Sequence, residues 1–179
     1  MSRIGFKEIK VPDKVEVSFK DRMLKVKGPK GELHQDVRDG IEFDIQGQAI
    51  KVTRKNDSKT LKALHGLYRS LLNNMVIGVH EGYTRKLELN GVGYKAQLKG
   101  DLINIAVGYS HPVDFKLPKG ITCQVEDNNT KLTLSGFDKQ LIGETAAQIR
   151  RIRPPEPYKK KGIKYAEEVI RTKAGKSAK

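Results

Sequence analysis

Cysteine is nearly absent from these 179 residues: Cys123 is the only one. That excludes an intramolecular disulfide and a four-cysteine zinc site. Histidine is almost as scarce, and no two of His34, His65, His80 and His111 stand at ligand spacing. No run of about 18 apolar residues occurs, so no membrane-spanning helix is expected. The opening Met1-Ser2-Arg3-Ile4-Gly5-Phe6-Lys7 lacks the apolar stretch of a secretory signal. A soluble, intracellular protein with no membrane partner is the expectation. The sequons Asn56-Asp57-Ser58 and Asn128-Asn129-Thr130 then read as turns rather than glycosylation sites.

What is present in excess is positive charge. Lys plus Arg number 35 against 21 Asp plus Glu, a net +14. Its distribution is uneven. Residues 1–80 carry 16 basic and 10 acidic side chains, net +6; residues 81–147 carry 8 and 8, net zero; residues 148–179 carry 11 and 3, net +8. A basic segment on a neutral body points to a polyanion partner. A solvated tail accounts for Lys173-Ala174-Gly175-Lys176-Ser177-Ala178-Lys179 but not for Arg150, Arg151 and Arg153 at the end of a predicted helix.

Period-two alternation runs from Val11 to Val52. Val15, Val17 and Phe19 share one face, Asp21-Arg22 turns the chain, and Leu24 and Val26 return it as a hairpin. Gly28-Pro29-Lys30-Gly31 is a second turn, followed by Leu33 and Val37. Ile41, Phe43 and Ile45 form a strand that Gly47-Gln48 turns into Ile50-Lys51-Val52. The period then becomes helical: Asp57-Ser58 offers a cap, and Leu61, Leu64, Tyr68, Leu71, Leu72 and Met75 form one stripe. Gly78 is the expected stop.

The second half follows the same plan. Leu87 and Leu89, then Tyr94, Ala96 and Leu98, then Leu102-Ile103 and Ile105 alternate around Lys99-Gly100-Asp101. Ile121, Cys123 and Val125 lead through Asp127-Asn128-Asn129 into Leu132 and Leu134. Asp138 caps a helix carrying Leu141, Ile142, Ala146, Ile149 and Ile152, which Pro154-Pro155 stops. At an offset of 121 − 41 = 80, Ile41 matches Ile121, Lys51 matches Lys131, Thr53 matches Thr133, Lys59 matches Lys139 and Leu61 matches Leu141. The expected fold class is α+β, with two tandem duplicated domains, each an antiparallel β-sheet packed against one α-helix. The expected domains are 1–82 and 83–179, the second ending in a basic extension from about residue 150.

Enzyme signatures fail in context. Gly91-Val92-Gly93-Tyr94-Lys95-Ala96 fits a dinucleotide fingerprint, but strand alternation follows the glycines where a helix is needed. Cys123 has no histidine near it in sequence, so a Cys–His catalytic pair has little to rest on. No residue pattern calls for a cofactor or a metal. His111 precedes Pro112 and must be extended there; it could touch a phosphate or close a loop. Lys159-Lys160-Lys161 is too short to be an address by itself.

The informative stretch is Arg150 to Tyr165. Three arginines in four positions exceed what a helix dipole needs. Pro154, Pro155 and Pro157 are expected to hold the next segment stiff and extended. Tyr158 and Tyr165 flank Lys159, Lys160, Lys161, Gly162 and Lys164. Lysines neutralise phosphates, aromatics stack on bases, and a glycine admits close backbone approach. The pattern fits nucleic-acid docking and does not choose between RNA and DNA.

Here the chain resembles a known family. Pro155-Glu156-Pro157-Tyr158-Lys159 and Lys161-Gly162-Ile163 are similar to the signature of the bacterial-type sixth protein of the large ribosomal subunit. Gly91-Val92-Gly93-Tyr94, Gly108-Tyr109-Ser110-His111-Pro112 and Ser135-Gly136-Phe137-Asp138-Lys139-Gln140 extend the resemblance, as do Ser2-Arg3-Ile4-Gly5 and Val26-Lys27-Gly28-Pro29-Lys30-Gly31. It covers nearly the whole chain, in order. Two departures stand out: Lys160 replaces a usual glycine, at a cost in backbone freedom, and Lys164 replaces a common arginine. The resemblance implies a duplicated α+β protein without catalytic role or cofactor, a structural constituent that binds large-subunit ribosomal RNA near the sarcin–ricin loop and stalk base. Partners implied are that RNA, neighbouring large-subunit proteins and translation GTPases docking nearby. RNA contacts are expected from Arg150, Arg151, Arg153, Tyr158, Lys159, Lys160, Lys161, Gly162, Lys164 and Tyr165, and, on the matched motifs, from Tyr94, Tyr109, His111 and Lys139. A nucleic-acid-binding or assembly factor outside the ribosome would use the same charge without a fixed partner.

Overall fold

The computed structural model describes residues 4–126 and 128–175. Ser2-Arg3, Asp127 and the end of the lysine-rich tail, 176–179, lie outside the described residues. The chain divides into two compact units: one runs to Gly82 and takes in Phe137–Lys139, the other comprises Tyr83–Gly136 and Gln140 onward.

The first unit contains β1 (Ile9–Lys10), β2 (Glu16–Lys20), β3 (Met23–Gly28), β4 (Gly31–Asp36), β5 (Ile41–Gln46), β6 (Ala49–Arg54) and α1 (Lys59–His80). The strands divide between two antiparallel sheets, β2-β3-β4 and β1-β6-β5. Alternation alone gives strands but not this division. Val17 pairs with Val26 and Phe19 with Leu24, so the expected apolar faces coincide. The hairpin turn needs two residues in the left-handed region, and Asp21 and Arg22 supply it with φ of 49° and 63°. Leu24, Val26, Ile50, Leu72 and Val79 are fully or almost fully buried between sheets and helix. The Ser58 hydroxyl caps α1 by accepting from the Leu61 N–H at 3.3 Å. Gly78 does not stop the helix. It is buried within α1, beside Met75, Val76 and Val79, and packing of that face outweighs the roughly 1 kcal/mol that glycine costs a helix. The chain turns instead at Gly82, whose φ of 81° a side chain would resist.

The second unit contains β7 (Tyr83–Asn90), β8 (Lys95–Lys99), β9 (Leu102–Ala106), β10 (Val113–Lys116), β11 (Ile121–Glu126), β12 (Lys131–Gly136), α2 (Lys139–Ile152) and β13 (Gly162–Tyr165). Its sheets are β8-β9-β10 and β11-β12-β7-β13, all antiparallel. The repeat holds element by element: β11 begins 80 residues after β5, and α2 begins 80 after α1. The order β11-β12-β7 matches β5-β6-β1. β13 has no counterpart in the first unit, and it comes from the basic segment. The core gathers Leu87, Leu89, Ala96, Ile103, Ile105, Leu132, Leu134, Ile142, Ala146, Ile149 and Ile163. Gly91-Val92-Gly93 is a turn leading into β8, with no helix after it. β10 is a strand that sequence alternation misses, since Val113 and Phe115 are its only apolar pair; it forms by pairing Val113 with Ile105.

Candidate nucleic-acid interface

α2 is held inward along its length by Ile142, Ala146 and Ile149. That packing fixes where the arginines emerge. Arg150 meets Glu168 through two hydrogen bonds, Nε at 2.9 Å and Nη2 at 2.6 Å. Glu168 also accepts from the Tyr165 N–H at 3.2 Å, and the Arg150 guanidinium lies 5.8 Å from the Tyr165 ring centroid. The Arg150 hydrogen bonds, ahead of everything else, hold the Glu168 carboxyl below its usual range, and Glu168 in turn raises Arg150. Arg151 is exposed and makes no ion pair among the described residues.

Arg153 leaves the helix next. Its guanidinium stands 5.2 Å from the Tyr109 ring centroid. Its charged form is favoured first by the Tyr109 side chain and then by Tyr94. The Tyr109 hydroxyl donates to the Ile152 carbonyl at 2.7 Å, satisfying an acceptor that the helix end leaves open. Tyr94 is buried in the core, with its ring close to Gly108. Tyr94, Tyr109 and Arg153 are thus brought together. His111 lies exposed in the bend beyond Tyr109, and Lys139 opens α2 at the end opposite the arginines.

Residues 154–161 do not run on extended as the three prolines suggest. The Glu156 N–H donates to the Lys161 carbonyl at 2.9 Å and closes the segment into a turn. The Ile163 N–H donates to Arg153 O at 2.7 Å, and the Lys173 N–H to Pro157 O at 3.1 Å, which brace the turn from both sides. Lys159, Lys160 and Lys161 are exposed on it and make no ion pair among the described residues. Lys160, at the position of the family's usual glycine, has φ 57°. Tyr109, Arg153, Pro154, Glu156, Tyr158, Lys159 and Lys161 line an open cleft of about 640 Å³.

Gly162, Lys164 and Tyr165 belong to β13. A Cβ on Gly162 would lie 2.6 Å from Pro154 O and Pro155 Cα, so the close approach this glycine permits is to its own chain. Lys164 stands opposite Glu88 on β7 and pairs with it at 2.8 Å. Tyr165 is half-buried and packs against the core. The predicted residues therefore fall into two groups. Arg150, Gly162, Lys164 and Tyr165 are engaged within the unit; Arg151, Arg153, Tyr158, Lys159, Lys160 and Lys161 face solvent. Sequence reasoning missed the partners Glu88 and Glu168. The signal for one was there: Glu167-Glu168 is an acidic pair inside a basic segment.

Cys123 is buried, and burial pushes its thiol up to about 11. It is therefore a thiol, not a nucleophilic thiolate, at neutral pH. His65 is a core histidine: Arg54 Nη1 donates to its Nδ1 at 2.6 Å, so Nε2 carries the proton donated to Val52 O at 2.8 Å. Among the described residues no His, Cys, Asp and Glu gather as a metal site, and no helix is long and apolar enough to cross a membrane.

Comparison with known proteins gives one answer. The family described as Ribosomal protein L6 matches residues 11–82 and 90–166. The Geobacter sulfurreducens protein named "Large ribosomal subunit protein uL6" is 52% identical over 179 residues, covering 100% of this chain and 99% of its own. The protein of that name from Solidesulfovibrio magneticus is 54% identical over 177 residues, covering 99% and 98%. One from Desulforapulum autotrophicum is 53% identical over 180 residues, covering 99% of each.

Proposed function

Because the chain belongs to the ribosomal protein L6 family, we propose that it is a structural, non-enzymatic constituent of the large ribosomal subunit whose second unit docks on large-subunit ribosomal RNA. The observation that carries this reading is the braced turn after α2. It presents Arg153, Lys159, Lys160 and Lys161 to solvent on a backbone tied down at Arg153, Glu156 and Pro157, and Arg151 stands exposed beside it on the last turn of α2. Cations held on a fixed backbone lose little entropy when they meet phosphates. The internal ion pairs of Arg150 and Lys164 hold the platform in place.

The family resemblance supports a position near the sarcin–ricin loop and stalk base. There the protein would contact neighbouring large-subunit proteins and stand close to docking translation GTPases, supporting assembly of that region. It works within the ribosome, in the cytoplasm. Crosslinking to ribosomal RNA in intact cells tests the reading. Crosslinks from residues 151–161 to large-subunit RNA, with co-sedimentation in large-subunit fractions at moderate salt, are expected. Persistent absence from those fractions would favour a factor acting outside the ribosome.

A further inference from the structure

The cleft beside the turn contains a group that a pure phosphate site would exclude. Glu156 lines it together with Arg153, Lys159 and Lys161. The residue is half-buried, and its backbone N–H is used by the Lys161 carbonyl, but its carboxylate makes no hydrogen bond or ion pair among the described residues. An ionised carboxylate only accepts hydrogen bonds and repels phosphate. A ligand suited to this lining offers paired N–H donors to Glu156, a flat face to a tyrosine and phosphates to the lysines. Tyr158 is 59% exposed and free to stack, whereas Tyr109 is anchored through its hydroxyl and carries Arg153 over its ring.

Among the RNA bases, guanine alone places two donors, N1–H and N2–H, side by side on its Watson–Crick edge. Adenine and cytosine each set an acceptor beside their amino group, and uracil has one N–H between two carbonyls. Unpaired bases expose that edge and can stack on aromatic side chains. Resting on the RNA-binding reading above, we infer that this cleft holds an unpaired guanine of RNA, its Watson–Crick edge read by the Glu156 carboxylate and its face stacked on Tyr158. The cleft volume is within the range of sites that enclose a small ligand.

The test uses the full chain and short oligouridines carrying one central guanosine, inosine, adenosine, cytidine or uridine, read by fluorescence anisotropy at fixed salt. The guanosine oligomer should bind about tenfold tighter than the uridine, adenosine and cytidine ones, with inosine, which lacks the 2-amino group, in between. Glu156→Gln should abolish that preference, while affinity for the oligouridine without guanosine should rise, since a carboxylate that repels phosphate is gone. Equal binding of all the oligomers, or a guanosine preference that survives Glu156→Gln, overturns the inference. Salt-dependent binding of deproteinised large-subunit RNA without guanine preference would overturn it while keeping the RNA-binding reading. No binding to that RNA at low salt would overturn the reading itself.

Discussion

Arg150 and Glu168 hold each other in a two-point grip, 2.9 Å and 2.6 Å, across 18 residues of sequence. The grip joins the last turn of α2 to the segment beyond β13, so an arginine that looks like a phosphate ligand is first a structural tie. Arg150→Ala and Glu168→Ala should each destabilise the protein by about 1–2 kcal/mol, above a fully exposed pair because the contact is bidentate and partly shielded. A double-mutant cycle by urea denaturation should show strong coupling between them. The pH dependence has a definite sign. The Glu168 carboxyl is lowered in the folded protein, so its stabilisation is complete above its ordinary value of 4.5 and is lost as pH falls through the lower folded value. The stability gap between the native chain and Glu168→Gln should persist at pH 7 and close below pH 4.5.

The exposed cations make the opposite prediction. Arg151, Lys159, Lys160 and Lys161 have no internal ion pair among the described residues, so their charge is available to phosphates. Each change to Ala should flatten the slope of log affinity for ribosomal RNA against log salt by about 0.7–0.9, with stability nearly unchanged. Arg150→Ala and Lys164→Ala should lose stability and leave the slope almost intact. Equal slope changes in both groups would refute the division.

Ile163 separates position from charge. It is fully buried in β13 and pairs with Leu89 on β7, and its N–H holds Arg153 O. Ile163→Ala should cost about 2–5 kcal/mol through the cavity it leaves, and Ile163→Val about 0.5–1.5. Neither removes a charge. RNA affinity should nonetheless fall with Ile163→Ala at an unchanged salt slope, because the turn is no longer preorganised. Urea melts and salt titrations of the same samples check both halves.

Much of this was legible in the residues. Strict alternation gave β2, β3, β5 and β6 with the correct inward faces, since one face of each strand must be apolar. The 80-residue offset between Ile41 and Ile121 anticipated the matching of β5 with β11 and of α1 with α2. The ends of elements were harder. Gly78 and Gly82 carry the same local signal, and only burial of Val76 and Val79 decides that α1 passes the first and stops before the second. The basic segment misled in a similar way. Its charge pattern marks a docking surface, but β13, the Lys164–Glu88 pair and the turn from Glu156 to Lys161 depend on partners distant in sequence or on one backbone hydrogen bond. No period or composition encodes these.

Lys160 tests how charge and backbone trade at the tip of the turn. With φ 57° it occupies the left-handed region, which costs a residue with a side chain roughly 1–2 kcal/mol. Glycine removes that strain but returns about 0.5–1 kcal/mol through its freer unfolded chain. Lys160→Gly should therefore stabilise the protein by about 0–1 kcal/mol, while Lys160→Ala keeps the strain and gains nothing. Both lose the same charge, so both should flatten the salt slope equally, by about 0.7–0.9. At low salt Lys160→Gly should be the weaker RNA binder of the two, because glycine's freer backbone leaves the turn less preorganised. Paired thermal melts and salt titrations of the two variants measure the difference, and a Lys160→Gly chain that melts below Lys160→Ala would show that the position carries no strain.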